Sequence, residues 1–393
     1  MPTDADYTTI SLTKEAGIAR LRLTRPGAAN AINAELAADL HRAAVSLRWD
    51  PTVRAVVLSG EGKVFCGGGD LAEFAAQGDR LPDHLTGVTD DLHAALVSFA
   101  AMDAPLIAAV AGSAGGAGLS LVAAADLVVA GRRAKFTMAY TAVGLTPDGG
   151  SSYYLARVIG LRRAMEMVLT NRVLTADEAQ SWGLVNRVVD DDAVDEEVDR
   201  LARAVAGGPT GSLGAAKRLV LSGATADLAA ALARESGTIS AMSTTGDARE
   251  GVSAFLAKRP PRFTGLSDGR VPGDAVMVLH NPVCSKSRGA LELLDARGVD
   301  YALVEYLVTP PSRSLLESVV AKLVDPVADL VRTDDKAFTA LGLPADGFTT
   351  PGAVVALLLE HPEVMQRPVV VRGDRALIAR PSERVAQLFD APA

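Results

Sequence analysis

The chain has 393 residues, 49% hydrophobic but only 4% aromatic, with a formal net charge of −8 at pH 7. That length allows two or three domains, and the acidic balance excludes nucleic acid or an anionic membrane as a general partner. No apolar run reaches membrane-spanning length, and two cysteines make no disulfide framework, so a cytoplasmic α/β protein is expected, with any anionic ligand held by local groups.

The start, MPTDADYTT, has the character of neither a signal nor a transit peptide. Asn33 reads as the N-cap of a helix over 33–47, where Leu36, Leu40, Ala44 and Leu47 recur at helical spacing. The β-branched run 53–58 and the apolar runs 106–110 and 127–130 read as buried strands, so this part is expected to be a layered α/β domain. Two strand-to-helix junctions are rich in glycine: VFCGGGDL (64–71) and AGSAGGAGLSL (111–121). Glycines let a backbone approach a ligand and aim N–H groups at it. Two such turns face to face would give paired donors for one oxygen, an oxyanion hole; either alone is more often a tight turn. In GLTPDGGSS, Asp148 stands between a proline and two glycines, by itself an ordinary turn aspartate.

The stretch KRPPRFTGLSDGRVPGD (258–274) has the profile of a linker. The expected division is a domain over 1–265, a linker over 266–274 and a smaller domain over 275–393. The second domain reads as a strand (275–279), the loop HNPVCSKSR, a helix (287–297), the strand YALVEYL and a helix after PPS with Ser312 as cap. A helix over 352–361 follows, then a hairpin, RPVVVRGDRALIARP, turning at GD. Cys284 stands where the first helix begins, where unpaired N–H groups and the helix dipole favour a thiolate. A lone cysteine is more often a buried inert residue, and Ser287 in place of a second cysteine excludes a C-x-x-C dithiol. Arg332, Arg367 and Arg380 are unremarkable singly. Two of them precede a proline, where an extended backbone aims the side chain reproducibly. Cys66, inside FCGGG, reads as a packing residue.

Taken together, LTRPGAANAIN, FCGGGDL, PLIAAVAGSAGGAGLSLVAAADLVVA, AKFTMAYTAVGLTPDGGSSYYLARVIG and REGVSAFLAKRPPRFTG resemble the crotonase (enoyl-CoA hydratase/isomerase) superfamily over residues 8–265. The resemblance implies a ββα spiral fold, assembly as trimers or hexamers, and acyl-CoA as substrate. By motif position the oxyanion donors would be the N–H groups of Gly69 and Ala117. The nucleotide would lie along Ala28, Ala29, Gly67, Gly68, Asp70 and Leu71. At the two positions where hydratases carry glutamates stand Ser120 and Tyr140, neither a carboxylate, which weakens a hydratase reading. Asp148 matches the catalytic carboxylate of phenylacetate-pathway isomerases and related enoyl-CoA isomerases. It would shift a double bond by removing and returning a proton, although relatives use the same position for attack on an aryl ring. Residues 275–390 resemble the glutaredoxin-dependent arsenate reductases, with a thioredoxin-like fold, through HNPVCSKSR, EYLVTPPSR, LVRTDD, EHPEVMQRPVVV and RALIARPSE. This implies Cys284 as nucleophile, Arg332, Arg367 and Arg380 around arsenate or a similar oxyanion, and His280 and Ser287 in support. Glutathione and glutaredoxin would be external reductants, with no metal and no tightly bound cofactor. Alternatives stay open: an enoyl-CoA hydratase or acyl-CoA hydrolase in front, and a regulatory or interaction module behind.

Overall fold

The computed structural model of the chain describes residues 7–265, 276–297, 299, 301–307, 311, 313–373 and 375–389. The expected linker over 266–274 and the expected Ser312 cap lie outside these residues. The chain divides into two compact units, 2–266 and 267–393 apart from Met1.

In the front unit β1 (Ile10–Glu15) and β2 (Ile18–Leu23) form an antiparallel hairpin. The helix α1 (Ala34–Arg48) follows, with the Asn33 side chain accepting the Leu36 N–H as expected of an N-cap. Its stripe of Leu36, Leu40, Ala44 and Leu47 is buried, and full burial of each leucine contributes about 1.5–3 kcal/mol. A repeating strand–strand–helix pattern comes next. β3 (Ala55–Gly60) leads to β4 (Val64–Cys66), α2 (Leu71–Ala75) and α3 (Leu81–Ala101). β5 (Leu106–Val110) leads to β6 (Ser113–Gly115) and α4 (Ala117–Ala124). β7 (Leu127–Gly131) leads to β8 (Lys135–Thr137), α5 (Ser151–Ile159) and α6 (Leu161–Thr170). The first strand of each repeat joins one sheet, and the second strand joins another. With β9 (Leu174–Thr175), α7 (Ala176–Trp182) and β10 (Arg187–Val189), the sheets run β1-β2-β3-β5-β7-β10 and β4-β6-β8-β9. That is the ββα spiral. The larger sheet is parallel from β2 onward and apolar on both faces, as parallel sheets require. One face packs on α1 and α3. The other is covered by α8 (Val194–Ala206), whose Val194, Val198 and Ala202 meet Val57, Ile107 and Val129.

The unit ends in α9 (Thr210–Gly223), α10 (Leu228–Ser243) and α11 (Gly246–Leu256). α10 buries none of its sixteen residues and presents Leu228, Leu232 and Ile239 to solvent.

The rear unit is built on a four-stranded sheet. β11 (Val276–His280) pairs in parallel with β12 (Tyr301–Glu305) and antiparallel with β13 (Val369–Arg372), which continues into β14 (Arg375–Ile378). α12 (Ser285–Asp295) packs Ala290 and Leu294 on Val276, Val278 and Val370. α13 (Arg313–Lys322), α14 (Lys336–Ala340) and α15 (Pro351–Glu360) complete this smaller α/β unit. The expected strands and helices are all present with ends shifted by one or two residues, as at 53–58 against Ala55–Gly60. Among the described residues no helix is long and apolar enough to cross a membrane.

Candidate active sites

The two glycine turns of the front unit meet backbone to backbone. Gly68 has φ 109°, and a side chain there would come within 3.1 Å of the Gly115 carbonyl oxygen. A β-carbon on Gly116 would lie 3.4 Å from Gly68 Cα. Only glycine permits both the dihedral and the approach. Gly69 stands at the end of one turn, and Ala117 opens α4 at the end of the other. Neither N–H donates to a protein acceptor among the described residues, so both remain available to an oxygen.

The loop expected to carry the nucleotide is stitched to the first turn. Ile32 N–H donates to Gly68 O at 2.7 Å, Asp70 N–H to Ile32 O at 2.9 Å, and Gly67 N–H to Ala29 O at 2.9 Å. Arg25 bridges the two, donating to the Ala31 carbonyl and pairing with Asp70 Oδ2 at 2.9 Å. The Asp70 carboxylate also caps α2 by accepting the Glu73 N–H, so it is committed within the protein. Burial raises its pKa, but Arg25 and the helix N–H groups outweigh that and hold it below the ordinary value. Leu71 is exposed, Ala28 closes a short 3-10 turn, and Ala29 has φ 53°. Cys66 is fully buried, and desolvation pushes its thiol up to about 12, consistent with a packing residue.

Asp148 lies in the turn before α5. Gly149, at φ 61°, packs against Ser120 of α4, where a β-carbon would come within 2.9 Å of Ser120 Cβ. Three hydroxyls converge on the Asp148 main-chain carbonyl: Ser120 Oγ at 2.8 Å, Ser151 Oγ at 2.8 Å and Tyr140 OH at 3.3 Å. Burial raises the Tyr140 pKa, so its phenol stays a proton-bearing donor. The residues at the two hydratase positions thus fix the backbone that presents the acid. Its carboxylate meets a group the sequence did not single out: His93 Nε2 of α3 is 2.6 Å from Asp148 Oδ1, with both side chains partly open to solvent. His93 is fifty-five positions away on an unremarkable helical stretch, so no local spacing could have found it.

In the rear unit Cys284 is the N-cap residue of α12, in extended backbone conformation. Burial raises its thiol pKa, but the Ser287 and Lys286 N–H groups, the Ser287 hydroxyl and Arg367 outweigh that and bring it below the ordinary 9.0. His280 is the buried last residue of β11, and burial, opposed by Glu305, lowers its pKa. Burial lowers the Arg332 pKa, and the neighbouring charges of Arg367 and Arg380 lower it further, so the three expected arginines lie within one another's field. Asp335 pairs with Arg332, and the Gln366 side chain accepts from Arg380 at 3.2 Å. A cavity of about 720 Å³ opens beside them, walled by Arg332, Arg380, Gln366 and Asp335; Cys284 is not on its wall. Three buried polar atoms at this site, His280 Nδ1, Tyr306 OH and Arg367 Nε, have no hydrogen-bond partner. Among the described residues of the whole chain, no cluster of three acidic, histidine or cysteine side chains could hold a metal ion.

Residues 13–266 match the family model for enoyl-CoA hydratase/isomerase, and residues 279–388 match that of the ArsC family. The 1,2-epoxyphenylacetyl-CoA isomerase of Escherichia coli (strain K12) is 39% identical over 259 residues, 64% of this chain and 96% of that protein. The 4-chlorobenzoyl coenzyme A dehalogenase-2 of Arthrobacter sp is 39% identical over 220 residues, 56% of this chain and 80% of that protein. Among solved structures, an enoyl-CoA hydratase of Mycobacterium smegmatis superposes with a TM-score of 0.62 at 35% identity, covering 65% of this chain and 99% of that one.

Proposed function

The chain belongs to the enoyl-CoA hydratase/isomerase family, and from that premise we propose that its front unit is an enoyl-CoA isomerase. The observation that carries this reading is the use made of Ser120 and Tyr140. Both hydroxyls are spent on the Asp148 carbonyl, which leaves Asp148 as the acid beside the glycine turns. The thioester oxygen would accept from Gly69 and Ala117 N–H. Asp148 would remove a proton from the carbon conjugated to the acyl group, and the electron pair would move onto the oxygen as an enolate. Return of the same proton to a different carbon shifts the double bond, so one base suffices and no water is consumed. His93 would hold the Asp148 carboxylate in place through its hydrogen bond. Each oxyanion donor in such a site contributes about 3 kcal/mol to lowering the barrier.

The test is a steady-state assay of 3-enoyl-CoA and 2-enoyl-CoA interconversion with Asp148→Asn. A fall of roughly a hundredfold or more in a folded protein supports the assignment. Retained isomerisation, or a wild type that only hydrates, overturns it.

The His93–Asp148 contact favours one second reading, displacement on an aromatic acyl-CoA. Asp148 would add to the ring carbon, a halide would leave, and an aryl ester would form. Water would then cleave the ester at the acyl carbon, with His93 taking the proton and the carboxylate regenerated. Chloride release from 4-chlorobenzoyl-CoA separates this reading from isomerisation.

For the rear unit the reading is thiol-dependent reduction of arsenate or a similar tetrahedral oxyanion. Planar guanidiniums suit such oxygens in paired contacts. The Cys284 thiolate would attack arsenic while one oxygen leaves as water after taking up protons. Glutathione would then attack the Cys284 sulfur, leaving a mixed disulfide and passing two electrons to arsenic. Glutaredoxin would reduce that disulfide. The lowered thiol pKa supports a nucleophile over a docking module. The uncovered apolar residues of α10 support a homotrimer or hexamer, and the free thiols suit the cytoplasm.

A further inference from the structure

Tyr306 follows β12 directly and is wholly buried, at 0% exposure. Its hydroxyl nevertheless makes no hydrogen bond of ordinary length and angle. Buried polar groups are almost always satisfied, and an orphaned one costs stability in the resting protein, a cost that a ligand partner would offset. Its neighbours say where that something would be. The Asn281 and Arg367 side chains come within weak polar contact of the phenol without reaching hydrogen-bond length and angle, and Arg332 acts on it through its charge. Arg367 also reaches the Cys284 thiol, and its own Nε is another unpartnered buried donor. Asn281 is held firmly in the loop, its side chain accepting the Val283 N–H at 3.0 Å and its carbonyl accepting the Cys284 N–H at 3.0 Å. Glu305 pairs with His280, so Tyr306 stands at the end of the sheet from which the loop to Cys284 starts.

We propose that Tyr306 is a ligand-binding residue of the rear site, donating its hydroxyl proton in a hydrogen bond to the oxyanion that Cys284 attacks. This deepens the oxyanion-thiol reading of that unit and rests on it. A neutral donor adds something the guanidiniums cannot. An acid oxyanion such as HAsO₄²⁻ carries both bare and protonated oxygens, and a phenol can donate to one or accept from the other. Burial pushes the Tyr306 pKa up, so the group stays a proton-bearing donor. Arg367 Nε, left unpartnered beside it, would complete the same contact.

The experiment uses the full chain and arsenate as probe. Alkylation of Cys284 by iodoacetamide is followed against arsenate concentration in wild type and in Tyr306→Phe, which removes only the oxygen. Cys66, buried throughout, does not compete. In wild type, arsenate should protect the thiol. In Tyr306→Phe the protecting concentration should rise roughly tenfold to a hundredfold, the scale of one lost hydrogen bond to a charged group, while the melting temperature holds or rises because an orphaned hydroxyl has gone. A merely structural tyrosine would give the reverse: a lower melting temperature and unchanged protection, which overturns the proposal. Failure of arsenate to protect the wild type overturns the oxyanion reading itself, and the proposal with it. Should the variant not fold, fluorotyrosine labelling of the wild type decides. One of the six tyrosine resonances should move on adding arsenate, and none moving would overturn the assignment.

Discussion

The two units meet negative charge in opposite ways. In the front unit charge would exist only fleetingly, on an enolate oxygen, and the groups waiting for it are neutral backbone dipoles at Gly69 and Ala117. In the rear unit the charge would arrive with the ligand, and the groups waiting for it are charged: Arg332 lies within the field of Arg367 and Arg380, and Arg367 reaches an ionisable thiol. A transient charge is best served by dipoles fixed before the reaction, because nothing then reorganises at the transition state. A lasting charge calls for cations, and cations left together repel. The rear unit restrains them with Asp335 on Arg332 and with Gln366 on Arg380. Neutral donors need close backbone approach and hence glycine; charged donors need reach and hence long side chains.

Substitutions can break that contrast. The largest expected effect is that of Asp148→Asn, a loss of roughly a hundredfold or more in isomerisation with arsenate reduction unchanged; a parallel loss in both assays would end the contrast. Next comes Arg367→Lys, which keeps the charge but removes the planar fork. It should lower kcat/KM for arsenate by roughly tenfold to a hundredfold, the scale of a charged hydrogen bond. An unchanged value would mean that charge alone suffices.

The thiol supplies a pH signature. Its folded pKa lies below 9.0, so the alkylation rate of Cys284 should reach half its maximum below that pH, and Arg367→Met should move the midpoint up. The linkage has a definite sign. A group depressed on folding contributes stability that is present above its unfolded pKa and lost as pH falls through the folded one. The stability advantage of wild type over Cys284→Ser should therefore grow as pH rises toward 9.0. Smallest of all should be Ser120→Ala. It removes one of three hydroxyl donors to the Asp148 carbonyl, which also accepts the Ser151 N–H, a loss of about 1 kcal/mol at an oxygen that keeps its other donors, and so a several-fold fall in kcat with KM little changed.

Much of both sites was legible in the sequence for a physical reason. Tight backbone approach leaves a local mark, three glycines in a row or a PDGG turn, and a helix start leaves Cys284 at a readable junction. What escaped reading was set by tertiary contact. His93 meets Asp148 across two elements far apart in the chain, and nothing at position 93 distinguishes it from a solvated helical histidine. Ser120 and Tyr140 read only as missing carboxylates; that they clamp the Asp148 carbonyl depends on α4 packing under the Gly149 turn. Tyr306 reads as one more residue of the strand YALVEYL, since a hydroxyl without a partner leaves no trace in sequence. The depth of His280 at the end of β11 is likewise a tertiary fact that its motif does not carry.

The stitching of the 25–32 loop to the first glycine turn has a consequence for how substrate affinity is spent. Arg25, Asp70 and the three main-chain bonds make one rigid piece of the surface where a nucleotide would rest and the turn that ends at Gly69. Force applied at one end is felt at the other. The handle of the thioester would then do more than anchor it: its grip would press the donor into register with the carbonyl. An acyl thioester shorn of its nucleotide should therefore turn over slowly even at saturation, its deficit falling on kcat and not on KM alone.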